Sequence, residues 1–180
     1  MSSILVANAN ADYGRKIAAV LRSSGLYIGG VCTAGAQVID FAKKHYHGGV
    51  VVSGVMLKDM PAANLPRVIS GYDFLFLVNS QLAGMAESLE HASLLLPINR
   101  MSLISTVNMF LNISDYTSLG VKKKLAAEGF DEKKTIEKAK NLLIERNHFT
   151  EARAHRFIQK KSMDTGKKMA ETALIILESQ

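Results

Sequence analysis

Among 180 residues there is no tryptophan, and there are three prolines and one cysteine. A single thiol cannot close an intramolecular disulfide. Cys32 lies in a strand-like stretch that suits a small buried apolar side chain better than a reactive one. Neither His148 nor His155 has partners at metal-ligand spacing, so no metal and no cofactor are expected. No apolar run reaches the roughly 18 residues that a bilayer-spanning helix needs. Residues 1–7 lack a basic segment followed by a long apolar stretch, which argues against a secretory leader and for a cytoplasmic protein with no membrane partner. Internal repeats and low-complexity segments are absent. No nucleophile–base pair is visible, so the expected role is not enzymatic.

What is present is apolar bulk and an uneven charge. Hydrophobic residues make up 48% of the chain, enough for a packed core and too many for wholesale disorder. The formal net charge is +6, and residues 121–180 hold 11 lysines and 3 arginines against 9 acids. Nearly all of the excess therefore lies in the last third. A basic segment beside a near-neutral one points to a polyanionic partner, the alternative being a solvated lysine-rich helix surface.

Short apolar runs alternate with helix-period segments up to residue 110. Residues 4–7, 27–32, 50–52, 74–78 and 94–96 read as strands. Val50-Val51-Val52 is β-branched and flanked by Gly48-Gly49 and Gly54, as a buried strand is. Residues 12–23, 36–44, 65–69, 82–90 and 101–111 read as the intervening helices. Five such βα units imply a parallel sheet covered on both faces, the flavodoxin-like doubly wound α/β class, with its working site at the carboxyl ends of the strands. Residues 1–111 form this expected domain, and 112–130 a helical or irregular connector. Leu103, Val107 and Phe110 are spaced as a packing stripe, one reading of which is a coiled-coil dimer seam.

Residues 131–180 read as a small all-α domain of three helices. Asp131 is a good N-cap for the first, which buries Ile136, Ala139, Leu142 and Leu143. Asn147-His148-Phe149 breaks it. Thr150 caps the second, which buries Ala154, Phe157 and Ile158. A second break is expected over residues 162–166, with Thr165 capping the third helix, whose stripe is Ala170, Ala173, Leu174 and Leu177.

The first half resembles the receiver domain of response regulators, a CheY-like fold. Ile4-Leu5-Val6-Ala7-Asn8-Ala9-Asn10-Ala11 resembles the first strand and acidic turn. Val51-Val52-Ser53-Gly54-Val55-Met56-Leu57-Lys58-Asp59-Met60 resembles the third strand and its loop. In the family an acidic pair and a phosphoacceptor aspartate hold Mg²⁺, and a hydroxyl and a lysine hold the phosphoryl oxygens. Here Asn8 and Ala9 stand where the acidic pair belongs, and Gly54, or Ser53 with a one-residue slip, stands at the phosphoacceptor. Asn79 or Ser80 marks the hydroxyl position. Leu96-Pro97-Ile98 offers no lysine, while Pro97 matches the family's cis-proline region. Asp12 and Asp59 are the nearby acids, and both read as exposed loop carboxylates. The resemblance thus implies a pseudo-receiver that is not phosphorylated on aspartate.

The tail resembles the ANTAR domain of transcription antitermination regulators. Thr135-Ile136-Glu137-Lys138-Ala139-Lys140-Asn141-Leu142-Leu143-Ile144-Glu145-Arg146 matches its first helix, with Asn141 where the family often has glycine. Glu151-Ala152-Arg153-Ala154-His155-Arg156-Phe157-Ile158-Gln159-Lys160-Lys161-Ser162-Met163-Asp164 matches the second helix and its turn. Lys167-Lys168-Met169-Ala170-Glu171-Thr172-Ala173 and Leu177 match the third. Arg153, Arg156 and Lys160 fall at i, i+3 and i+7, on one helix face. Gln159 can donate and accept, as base-edge readout requires. Lys167 and Lys168 start the third helix, and Lys140 and Arg146 lie off the main stripe of the first. Those eight side chains are the expected RNA contacts. Singly, each cation also fits a solvated helix.

The resemblance implies binding to paired hairpin loops in nascent mRNA, stabilising an antiterminator, by a homodimer. The input to the receiver-like half would be a small molecule, a sensor protein or nothing at all. A different reading makes the tail a dimerisation or docking module of a signalling adaptor that touches no nucleic acid. A third reading, duplex DNA binding by a helix-turn-helix, fits the 147–150 turn poorly.

Overall fold

The computed structural model describes residues 3–82, 84, 91–115, 124–126 and 129–179. The helix expected over 82–90 and most of the 112–130 connector lie outside the described residues. The chain divides into two compact units, Met1–Ile104 and Ser105–Gln180.

In the first unit five strands pair in parallel in the order β2-β1-β3-β4-β5. They are β1 (Ser3–Ala7), β2 (Ile28–Cys32), β3 (Gly49–Gly54), β4 (Tyr72–Asn79) and β5 (Ala92–Leu96). The intervening described helices are α1 (Ala11–Arg22), α2 (Gly35–Lys44) and the short α3 (Leu65–Val68), and α4 (Arg100–Asp115) follows β5. Val50, Val51 and Val52 are all buried, because a parallel sheet flanked by helices has no solvent face. One side of the sheet packs Leu5, Val51, Phe74 and Phe76 against Val38, Leu57 and Leu65. Gly49 permits the β1–β3 approach: a Cβ there would sit 1.9 Å from the Ser3 carbonyl oxygen.

Helix starts are set by side chains that replace missing backbone partners. The Asn10 amide oxygen accepts from the Asp12 and Tyr13 amides at 3.0 and 3.1 Å and opens α1. For α2 the acceptor comes from the loop after β3. Asp59 accepts from the amides of Gly35 at 2.6 Å and Ala36 at 3.0 Å, so this exposed carboxylate has a structural task.

In the second unit residues 105–115 of α4 pack with α5 (Glu132–Asn147), α6 (Glu151–Thr165) and α7 (Met169–Glu178). Asp131 accepts from the Lys134 amide at 3.0 Å, and His148, at φ 54°, ends α5. Thr150 caps α6, as the sequence suggests. The second break falls later than expected. α6 continues through residues 162–165 and stops at Gly166 (φ 65°), where the Lys167 amide donates to the Ser162 carbonyl at 3.0 Å. Ser162 and Thr165 stay helical because their hydroxyls donate to the Gln159 and Lys161 carbonyls. Lys168, not Thr165, precedes α7.

The buried apolar residues of this unit include Leu143, Ala154, Ile158, Ala173 and Ile176, together with Val107, Met109, Phe110 and Ile113 of α4. The Phe157 ring meets Phe110 edge-on at 5.9 Å and Phe149 at 5.5 Å. Asn147 is fully buried, and its amide donates to the Thr106 hydroxyl at 3.1 Å. Val107 and Phe110 are thus consumed in an intramolecular core rather than offered as a coiled-coil seam.

The Asp59 cap makes stability depend on pH. Backbone hydrogen bonds from Ala36 and Gly35 hold its carboxyl below the usual range. A depressed folded-state pKa adds stability above the unfolded value of about 3.9, and that stability is lost as pH falls through the folded pKa. Asp59→Asn is therefore expected to lower the urea midpoint at pH 7. The gap from wild type should shrink when the measurement is repeated below about pH 4, as the folded carboxyl begins to protonate. An equal gap at both pH values would refute the cap.

Candidate nucleic-acid interface

Packing decides which way α6 faces. Ala154 and Ile158 are buried and Phe157 is half-buried, on one row of the helix. The opposite row, Ala152, His155, Arg156, Gln159, Lys160 and Met163, is exposed. Arg156, Gln159 and Lys160 have no side-chain hydrogen bond or ion pair among the described residues. Arg156 and Lys160 stand one turn apart, and like charges at that spacing repel by a few tenths of a kcal/mol. Burying one Ile side chain such as Ile158 gains about 1.5–3 kcal/mol, so packing wins and the cations stay aligned outward. Lys168 is exposed at the head of α7.

The other expected contacts are engaged inside the unit. Arg153 is half-buried, with its guanidinium carbon 4.9 Å from the Phe149 ring centroid, which draws it off the Arg156–Lys160 row. The Lys167 ammonium donates to the Ile113 carbonyl at 3.1 Å. Lys140 is covered, and its ammonium lies 2.7 Å from Glu137 and 3.0 Å from Glu151. These carboxylates, Glu137 first, raise the Lys140 pKa above its ordinary value. Arg146 is half-buried against neutral groups: its Nε donates to the Asn147 amide oxygen at 3.3 Å, and Nη2 lies 3.1 Å from Met109 Sδ. Desolvation brings the Arg146 guanidinium down to about 10.

His155 and Met163 belong to the exposed row and were missed by attention to cations alone, although extending the same face by three and four residues finds both. A shallow depression of about 720 Å³ opens beside His155, lined by Lys140, Thr150, Glu151, Ala152, His155 and Arg156.

In the first unit the register sets Ala7 beside Cys32 and Ser53, and Gly54 beside Leu77. Asn8 and Gly54 therefore meet at the carboxyl ends of β1 and β3. The Asn8 amide oxygen accepts from the Asn10 amide at 2.9 Å. A Cβ added at Gly54 would lie 3.0 Å from Asn8 Nδ2, so the Asn8 amide crowds the place of a side chain there. Ser53 is fully buried, and its hydroxyl donates to the Gly54 carbonyl at 2.8 Å. Asn79 accepts from the Gln81 amide at 3.2 Å, and the Ser80 hydroxyl donates to Asn79 at 3.4 Å. Asp12 pairs with Arg15, and Asp59 caps α2. Among the described residues no three His, Cys, Asp or Glu side chains cluster as metal ligands. Amides at these positions do not fit the carboxylate-held Mg²⁺ of a receiver. The Leu96–Pro97 peptide is cis. No helix among the described residues is long and apolar enough to cross a membrane.

Residues 126–177 match the ANTAR domain family model. A CheY-like receiver domain protein from Methanospirillum hungatei is similar at 20% identity and a TM-score of 0.51, over 62% of this chain and 94% of its own. RcsB from Salmonella typhimurium, a response regulator whose structure is described in terms of DNA interaction, matches at 13% identity and TM-score 0.52 over 100% of both chains. Full-length FixJ from B. japonicum matches at 14% and 0.51, over 99% of this chain and 97% of its own. At these identities the likeness establishes fold. No curated protein matches.

The inward and outward cations separate by stability. Lys140→Met removes the charge between Glu137 and Glu151 and is expected to lower the thermal midpoint of the chain's helical signal. The Arg156→Ala, Lys160→Ala double variant should stay within about 0.5 kcal/mol of wild type by circular dichroism. The reverse order would show that Lys140 is dispensable and the row structural. Matched in sequence by its family model and preceded by a five-stranded parallel sheet, the helical tail is an ANTAR domain carried behind a CheY-like receiver fold.

Proposed function

We propose that this chain is an RNA-binding transcription antitermination regulator acting in the cytoplasm as a homodimer. Its ligand is a pair of hairpin loops in nascent mRNA. The observation that carries the reading is the outward row Arg156, Gln159, Lys160 on α6, with Lys168 beyond it, inside the segment that matches the ANTAR model. Phosphates supply affinity, and unstacked loop bases supply sequence. Arg156, Lys160 and Lys168 take phosphates, while Gln159 reads a base edge. Lys140, Arg146, Arg153 and Lys167 serve as scaffold that holds this face, through the contacts described above.

Antitermination then follows as a population shift. The nascent transcript partitions between an antiterminator and an overlapping terminator. A protein that binds the first tenfold more tightly biases the choice by about 1.4 kcal/mol. Two hairpins call for two copies of the domain, hence the dimer.

The receiver-like half works without aspartyl phosphate. Phosphoryl transfer needs an ionised carboxylate nucleophile and a cation to neutralise developing charge. Asn8, Ala9 and Gly54 offer neither the nucleophile nor an anionic carboxylate for the cation, and Asn8 crowds position 54. The input is a small molecule or a sensor protein acting on the same unit.

Two measurements test these assignments. Filter binding of two-hairpin RNA across a salt series should give a log–log slope near −0.7 per phosphate contacted. Changing Arg156 and Lys160 together to alanine should flatten it by about 1.4 and weaken affinity at least tenfold. Tighter binding to matched duplex DNA, or an unchanged slope, contradicts the RNA face. Incubation with acetyl phosphate and Mg²⁺ should leave the intact mass unchanged, in wild type and in Gly54→Asp alike. A phosphorylated wild type would overturn the pseudo-receiver.

A further inference from the structure

Among the described residues of the first unit an apolar patch stays uncovered. A groove of about 210 Å³ is lined largely by Ile39, Ala42, Lys43, Tyr46, Val68 and Ile69, from α2, the residues just past it, and α3. α3 stops after four residues, and Val68 at its end is 64% exposed. Tyr46, two residues beyond α2, is 80% exposed. The end of α2 is nonetheless fixed. The Tyr72 hydroxyl of β4 donates to the His45 carbonyl at 2.7 Å, and the Phe41 and His45 rings stack at 4.0 Å.

Size and charge together name the occupant. Small-molecule sites run to roughly 300–1,000 Å³, so this smaller groove suits a single bulky apolar side chain better than a whole ligand. A tyrosine beside an apolar slot is the usual make-up of an anchor point in protein–protein interfaces. Lys43 lines the groove, and Lys44 and Arg67 are exposed sequence neighbours of its lining residues. Against these cations, residues 35–47 and 65–71 hold one acid, Asp40. Among the described residues none of the three cations pairs with a carboxylate. Lys43 and Lys44 complement the carboxyl end of α2, but that does not account for the exposed apolar rim. A second copy docked about a two-fold axis would set the same cations against one another. A phosphate backbone would meet the cations and leave the apolar slot unfilled.

We infer that the groove between α2 and α3 docks an acidic segment of a partner protein. One bulky apolar side chain of that segment fills the slot beside Tyr46 and Val68, and its carboxylates meet Lys43, Lys44 and Arg67. The inference rests on the reading that the receiver-like half takes an input other than aspartyl phosphate, and it selects a protein over a small molecule. It does not depend on the RNA face. Burial of the anchor supplies affinity, and the carboxylates supply orientation and encounter rate.

The probe is a library of short displayed peptides, selected on the full chain. Winners are expected to carry a Leu, Phe or Trp flanked by Asp and Glu, and to bind more weakly as salt rises, read by fluorescence anisotropy. Val68→Asp and Tyr46→Ala, both at exposed positions, should each weaken that binding about tenfold or more. Lys43→Glu combined with Lys44→Glu should do the same, and selection on that double variant should exchange acidic flanks for basic ones. Met101→Asp, at an exposed apolar position elsewhere in the same unit, should change nothing. Circular dichroism checks that each variant keeps the wild-type helical signal. Winners without acidic bias overturn the inference, as do acidic winners that bind Val68→Asp and the lysine double variant as tightly as wild type. A wild-type dimer that Val68→Asp splits into monomers would put a second copy in the groove instead. Two-hairpin RNA that displaces the peptide and loses affinity in the lysine double variant would make the patch a nucleic-acid surface, and also overturns it. Loss of peptide binding at the groove with RNA binding intact in every variant separates this inference from the antitermination reading. A wild type that selects acidic peptides but binds no RNA supports this inference and removes that reading alone.

Discussion

Burial of Ala154 and Ile158 is the constraint on which the surface chemistry depends. A helix has one rotation about its axis, and apolar contact sets it with several times the energy of repulsion among the cations. Every statement about which side chains meet solvent follows from that rotation. Phe157 of the same helix reinforces it by meeting Phe110 and Phe149. The cations are therefore displayed as a consequence of the core, and their mutual repulsion is a small residual that a polyanion can relieve.

The same packing sorts charges that look equivalent in sequence. Lys140, Arg146, Arg153 and Lys167 turn toward carboxylates, a thioether, a ring and a carbonyl. Arg156 and Lys160 have nothing comparable within the described residues. Helical spacing could place Arg153 near the face of Arg156 and Lys160. It could not reveal that Phe149, past the end of α5, captures the guanidinium. Nor could it reveal that Glu137 and Glu151, from two helices, converge on one ammonium. Arg153 and Phe149 are four residues apart and Glu137 and Lys140 three, but which partners they take is set by the packing of α5 against α6, which spacing along one helix does not contain.

Elsewhere the sequence was more informative. Strands with continuous β-branched or aromatic runs, such as Val50-Val51-Val52 and the stretch through Phe74 and Phe76, were legible because a sheet buried on both faces leaves no alternation to misread. The cap at Thr150 was legible because its chemistry is local. The end of α6 was misplaced because Ser162 and Thr165 look like breakers, yet each hydroxyl satisfies itself on the preceding turn. The role of residues 105–115 as a fourth core helix was hidden because their stripe, Val107 and Phe110, fits a receiver helix, a dimer seam or a helical core equally well. Asp59 looked like a spare loop acid because its partners, Gly35 and Ala36, are distant in sequence.

The first unit pairs a receiver-type sheet with strand ends whose side chains are amides rather than carboxylates. The sheet order and the cis peptide before Pro97 accompany a receiver-type scaffold, while its strand ends carry amides that bond to their own turns. The basic α6 row in the ANTAR domain then becomes the place where function is sought. Ultraviolet cross-linking of the full chain to two-hairpin RNA, followed by peptide mass spectrometry, tests that placement most directly. Adducts are expected on peptides spanning residues 151–168, centred on the outward row of α6. Adducts confined to residues 3–82, or none at low ionic strength, would contradict it.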